Sequence, residues 1–307
     1  MIVLLCLDFV ISLIIIDNTE ESNRSSRFVL FEAITTGVNA IVTFGIGYYI
    51  KWRGFTDLYW ISLSLEILSI AIVIFFIKKS RPSIDASLFS SSSSENIQIK
   101  KAHSFKSYCK DCFVIFTVFG FQNRSRRKSI SLLLTLFAYI FYLLAYSVYS
   151  SFLWYLLNVP FCWSSEDIGN YTAITSISCA ILSLLGMKVL TRIGANDIVI
   201  CTIGHLCYAT ASLCNAFAKQ SWHLYAGLIT FPFADYQNSL TFPLISKWLE
   251  PHERIHAFTF VTEVNTIVTS FGDSFFNWIY ARTVGNYQNF TLLMSVGFSL
   301  VGFIINL

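Results

Sequence analysis

Charge is scarce in this sequence: Asp, Glu, Lys and Arg make up 13% of its 307 residues, against 55% hydrophobic. A water-soluble domain is about a quarter charged, so that class is excluded. Apolar runs of about 18 residues or more recur along the chain, long enough to cross a bilayer as helices whose backbone groups bond internally. The sequence therefore predicts an all-α polytopic membrane protein. No Lys or Arg precedes Arg24, so the apolar start at residues 1–16 lacks the basic region of a signal peptide and reads as a span or part of one. HExxH, GxSxG and the P-loop are all missing, which leaves no support for an enzyme and argues against ATP-driven transport. Cys109 and Cys112 form one CxxC with no second pair, half of a zinc site. No metal or cofactor is expected. The net charge of +3 does not point to nucleic acid, because the basic residues sit mainly at span ends.

What the chain does have is one basic loop. Residues 78–129 hold 11 of the 21 Lys and Arg residues, and loops rich in these residues stay on the cytoplasmic side. The loop includes a serine-rich stretch at 90–94 and an apolar patch at 113–121, too short to span and suited to a membrane surface. Nine spans are expected: residues 1–16, 28–50, 58–77, 130–157, 171–190, 198–218, 221–244, 257–281 and 290–307. With the loop inside, the cytoplasmic segments carry 17 Lys and Arg residues and the outer segments only Lys51, Arg53, Lys219 and Arg282. Three regions follow: 1–77 with three spans, a basic, serine-rich linker at 78–129, and a six-span half at 130–307. Transporters of the major facilitator type join two six-helix halves by such a loop; on that plan the first three helices are absent here.

Six acids fall inside predicted spans: Asp8, Glu32, Glu66, Asp235, Glu263 and Asp273. No Lys or Arg accompanies them within the hydrocarbon. Each costs about 2.5–3.5 kcal/mol to insert, so such residues face a cavity or a partner and are candidate proton carriers. Glu32 lies early in its span, where the plainer reading is a carboxylate complementing the helix dipole. Glu263 and Asp273 stand about 80° from a common helical face, with Asn265, Thr266 and Thr269 nearby. That polar stripe suits a substrate pathway, or simple packing against other helices. Asp235 is bracketed by Pro232 and Pro243; prolines break a helix and free its carbonyls, as in transporter sites.

Four stretches resemble one family. They are Arg24-x-x-Arg27 with Leu30-Phe31-Glu32-Ala33; Pro160-Phe161-Cys162-Trp163-Ser164-Ser165 with Ile168-Gly169; Ser246-Lys247-Trp248-Leu249-Glu250-Pro251-x-Glu253-Arg254; and Phe258, Val264-Asn265, Phe276-Asn277 and Tyr280. The family is that of the proton-coupled folate transporter and its relatives in the major facilitator superfamily. The resemblance implies twelve helices, of which four to twelve are present here, and alternating access driven by an inward proton gradient. It places Glu32 at the helix-five glutamate of proton coupling. From their place inside the spans, Glu263 is a second candidate for proton coupling and Asp235, Asn265 and Asp273 are candidates for the substrate pathway; Arg24, Arg27, Lys247 and Arg254 are expected at the cytoplasmic gate. Cys162 matches an outer-loop cysteine that pairs with one in the first outer loop. The folate-carrying member has a histidine in helix seven and an arginine in helix ten; residues 130–157 hold no His and 221–244 no Arg or Lys, with Ala145 and Phe242 at the aligned positions. A folate dianion would lack its cation.

The function expected is proton-coupled symport of folate-like or other organic anions, or of amphipathic small molecules. The alternative is a truncated homologue that does not transport, inert or interacting in the membrane. Partners are then a small-molecule substrate, protons and the lipid bilayer, in a plasma or lysosomal membrane. Asn170 and Asn289 are candidate outer glycosylation sites.

Overall fold

The computed structural model describes residues 11–12, 14–20, 23–79 and 126–307. Asp8, the CxxC at Cys109 and Cys112, and most of the basic linker lie outside the described residues. The elements in order are α1 (Arg24–Arg53), α2 (Thr56–Lys79), α3 (Arg126–Tyr146), α4 (Tyr149–Leu157), α5 (Ser165–Arg192) and α6 (Asp197–Ala216), then α7 (Ser221–Gly227), a 3-10 turn (Phe231–Phe233), α8 (Tyr236–Trp248), α9 (Pro251–Thr283) and α10 (Phe290–Asn306). Four helical stretches among the described residues are long and apolar enough to cross a membrane: Arg24–Arg53, Arg126–Leu157, Ser165–Arg192 and Asp197–Ala216. The shorter Phe290–Asn306 is also apolar. The protein is an all-α, multi-pass integral membrane protein.

Two stretches expected as single spans are interrupted. Residues 130–157 divide at Ser147, where the Ser147 hydroxyl donates to the Leu143 carbonyl at 2.8 Å. The Val148 amide turns back to Ala145 at 3.4 Å instead of continuing the i−4 ladder. From α6, the Tyr208 hydroxyl donates to the same Ala145 carbonyl at 2.8 Å. Hydroxyls inserted into a helix ladder kink it. Residues 221–244 divide more widely. Leu228, Ile229, Thr230, Phe233 and Ala234 all bond three residues back, and Pro232 has no N–H to give. Regular helix resumes when the Ser239 amide bonds to Asp235.

Helices α3, α6 and α10 pack together, with α8 and α9 against α3. One buried cluster joins Leu132, Leu136, Tyr139 and Tyr142 to Ile245, Phe258 and Val261. A second, toward the other end, gathers Phe152, Tyr155, Trp163, Tyr171, Leu224 and Phe276. α5 opens on a capping box in which Ser164 and Asp167 satisfy each other's backbone amides, and the preceding Trp163 indole donates to Ser221 at 3.1 Å. α1 lies along α5. A Cβ added at Gly47 would stand 2.9 Å from both the Gly169 Cα and the Ser165 carbonyl oxygen. Only glycine on both sides admits that crossing.

Candidate functional site

The interruption before α8 sets the site. It leaves Asp235 just ahead of the helix, where its Oδ1 accepts a 2.6 Å hydrogen bond from the Tyr142 hydroxyl of α3. One turn earlier on α3, the Tyr139 hydroxyl donates to Asn238 Oδ1 at 3.3 Å. Asp235 and Ser239 line a cavity of ≈ 10 Å³ with Glu32 and Thr36 of α1 and Cys179 and Ser183 of α5. That is room for about one water. No Lys or Arg is among its lining residues. Two carboxylates from separate parts of the chain therefore face one small polar space, an arrangement suited to holding and passing a proton.

A column of tyrosines runs from this cavity along one face of the interrupted span. Tyr139 and Tyr142 stack at 6.3 Å, Tyr142 and Tyr146 at 5.8 Å, and Tyr146 and Tyr149 at 6.4 Å between ring centres. It ends in a second cavity of ≈ 40 Å³ walled by Tyr146, Tyr149, Tyr171, Tyr208, Phe231 and Asn215, among others. Sequence reasoning missed this column. Its signal was present in tyrosines spaced by three and four residues, the period of one helix face, but aromatics at that spacing read first as core.

The other predicted residues are more scattered. Glu263 and Asp273 are exposed on α9 and Asn265 is half-buried; the structure brings none of them into either cavity. At one end of the seam between α1 and the C-terminal helices, Lys247 pairs with Asp197 Oδ2 at 2.6 Å, and the Ser25 hydroxyl of α1 donates to that same oxygen at 2.7 Å. Asp197, which ties α1, α6 and α8 together, was not anticipated; an acid at a helix start reads as a cap. Arg24 is buried with its Nε on the Thr19 carbonyl at 3.2 Å, Arg27 is exposed and Arg254 is half-buried. At the opposite end of the seam, Lys51 of α1 pairs with Glu166 of α5. Phe242 packs edge-on against Phe258 at 5.1 Å between ring centres. Cys162 is exposed and unpaired among the described residues. Asn170 is half-buried, and the Asn289 amide donates to the Ala216 carbonyl at 3.0 Å, tying the start of α10 to the end of α6.

No family model matches the sequence. The chain is 25% identical over 284 residues to a protein of Gallus gallus described as the lysosomal proton-coupled steroid conjugate and bile acid symporter SLC46A3. That alignment covers 92% of this chain and 58% of the relative. Homologues of this chain are solute carriers. The Rattus norvegicus and Homo sapiens proteins of the same description are each 25% identical, over 285 and 284 residues, again covering 92% of this chain. The chain spans 58–59% of the length of these curated relatives.

Proposed function

We propose that this chain forms the greater part of a proton-coupled secondary transporter that carries amphipathic organic molecules by alternating access. The observation that carries the reading is the shared cavity of Glu32 and Asp235, reached from α1 and from the interrupted span before α8. Intramembrane acids in such interruptions suit proton-linked transport. In this reading residues 1–77 belong to one half of the carrier, residues 78–129 form the linker, and residues 130–307 make the other half. Glu32 and Asp235 carry the proton. Asp197 with Ser25 and Lys247 closes the cytoplasmic end of the seam between α1 and the C-terminal half, and Lys51 with Glu166 closes the outer end. Glu263 and Asp273, exposed on α9, and the half-buried Asn265 of the same helix form part of the pathway toward the other half. The relatives' description supports an acidic, lysosomal setting and a cargo with an apolar ring body and a polar group.

The test is uptake of a labelled steroid sulfate by cells expressing a full-length carrier that contains this sequence, with and without an inward proton gradient. Acid-stimulated uptake that falls at least about tenfold in Glu32→Gln and in Asp235→Asn is expected, since losing one proton site removes coupling rather than folding. Uptake indifferent to the gradient, or unchanged in both variants while they reach the membrane, would sink the reading.

A further inference from the structure

We propose that Tyr142 delivers protons to Asp235 from the tyrosine-walled cavity, with Tyr146 as the preceding link. The Tyr142 hydroxyl already donates to Asp235 Oδ1 at 2.6 Å, a length typical of a hydroxyl on a carboxylate. Tyr146 stacks on Tyr142 at 5.8 Å between ring centres, and Asp235 is the strongest electrostatic influence on the Tyr146 hydroxyl. Exposure rises along the column, from 2% at Tyr142 to 38% at Tyr146 and 51% at Tyr149. The last two line the ≈ 40 Å³ cavity, which has room for roughly three waters. The column thus leads from accessible phenols at a cavity to a buried one on the acid. Other titratable groups near Tyr142 do not offer this route. The Tyr208 hydroxyl is committed to the Ala145 carbonyl at 2.8 Å and the Tyr139 hydroxyl to Asn238 at 3.3 Å. His205, edge-on to Tyr142 at 6.3 Å, is fully buried. Cys179 and Glu32 share the smaller cavity of Asp235. α9 brings Phe258 and Val261 to the cluster that holds Tyr142, and α10 contains no titratable residue. In the relay, a proton on a cavity water passes to the Tyr146 oxygen as that hydroxyl releases its own hydrogen to a second water. This water protonates the Tyr142 oxygen as the Tyr142 hydrogen crosses to Asp235 Oδ1. Each phenol loses one O–H bond and gains another, and the net change is one proton on Asp235.

This inference rests on the reading of Asp235 as a proton carrier, and it is tested without uptake. The full 307-residue chain is placed in phosphatidylcholine nanodiscs and its protonated-carboxyl infrared band is followed after a rapid jump to acid. The part of the band lost in Asp235→Asn belongs to Asp235. Tyr142→Phe keeps the ring and its stacking, and should slow the rise of that part about a hundredfold, the lower end of what a positioned proton-transfer group contributes. Tyr146→Phe leaves the Tyr142 hydrogen bond to Asp235 in place. It should slow the rise more than about tenfold and leave the final height unchanged. A tyrosine that merely positions the acid would change the band in Tyr142→Phe and leave the rate in Tyr146→Phe as it was. Tyr208→Phe, whose lost hydroxyl serves the Ala145 carbonyl, should keep the rate of the unaltered chain. If Tyr142→Phe does not fold, Tyr146→Phe and Tyr208→Phe decide. The proposal is overturned by an unchanged rate in a folded Tyr142→Phe or in Tyr146→Phe, by equal slowing in Tyr208→Phe, or by no band lost in Asp235→Asn. Uptake indifferent to the proton gradient, with these rates as expected, would sink the transporter reading alone.

Discussion

Helices α1 and α2 are neighbours in the chain and both are apolar, yet one is seated and the other is bare. α1 buries Phe28, Val29, Ala33, Ala40 and Gly47 and runs along α5. None of the described side chains of α2 is buried; Leu65, Ile67 and Leu68 are more than half exposed, and the helix scarcely touches α1. Apolarity does not separate them. Small residues do. α1 brings Gly37 toward Ala180, and Gly47 onto Gly169 backbone to backbone, whereas the stretch from Thr56 to Lys79 has no glycine. Lipid solvates a Leu or Ile face as well as another helix does, so association inside a bilayer depends on close packing and on polar links. α1 has both kinds, ending in Ser25 on Asp197 at one end and Lys51 on Glu166 at the other. The acidic cavity sits between those ends because α1 is held there.

The largest way to break this contrast is Gly47→Leu. Its side chain must displace backbone atoms of α5, at about 3 kcal/mol, the upper end for overpacking. Thermal unfolding in nanodiscs should show the loss, together with a weakened crosslink between cysteines placed at positions 37 and 180. An unchanged melting curve would mean that α1 is not seated as described. Asp197→Asn comes next. It keeps the shape but removes the charge shared by Lys247 and Ser25, and a loss of about 1–2 kcal/mol is expected, read by the same unfolding experiment. High salt should reproduce part of it, because Lys247 remains 33% exposed. The smallest effects sharpen the comparison. Lys51→Gln removes an ion pair whose lysine is 65% exposed and screened by solvent, and should shift the melting curve less than Asp197→Asn does. Leu65→Ala on the bare helix should shift stability by less than about 0.5 kcal/mol. A larger loss at Leu65 than at Lys51 would show that α2 has a seat of its own.

Much of the site was half-legible. The prolines at 232 and 243 singled out Asp235, and the interruption around Pro232 is where that acid sits ahead of its helix. Glu32 was legible as an intramembrane acid. That the two share a cavity was not, since nothing local in either stretch refers to the other. Glu263 and Asp273 carried the same kind of signal on α9 and are exposed, away from both cavities. The division at Ser147 was missed because it depends on Tyr208 reaching the Ala145 carbonyl from another helix.

Taken alone, the amino-acid sequence determined that this is a helical membrane protein, because a backbone in hydrocarbon must bond to itself and long apolar runs leave no other choice. It also determined where the costly charges lie along the chain, since composition and spacing are local properties. Tertiary structure alone decided which of those charges meet. Glu32 and Asp235 face one space because glycines at a helix crossing let α1 approach α5, and because the interrupted span turns its acid toward Tyr142. Such contacts depend on close packing between distant segments, and that distance relation is absent from any single stretch of the chain.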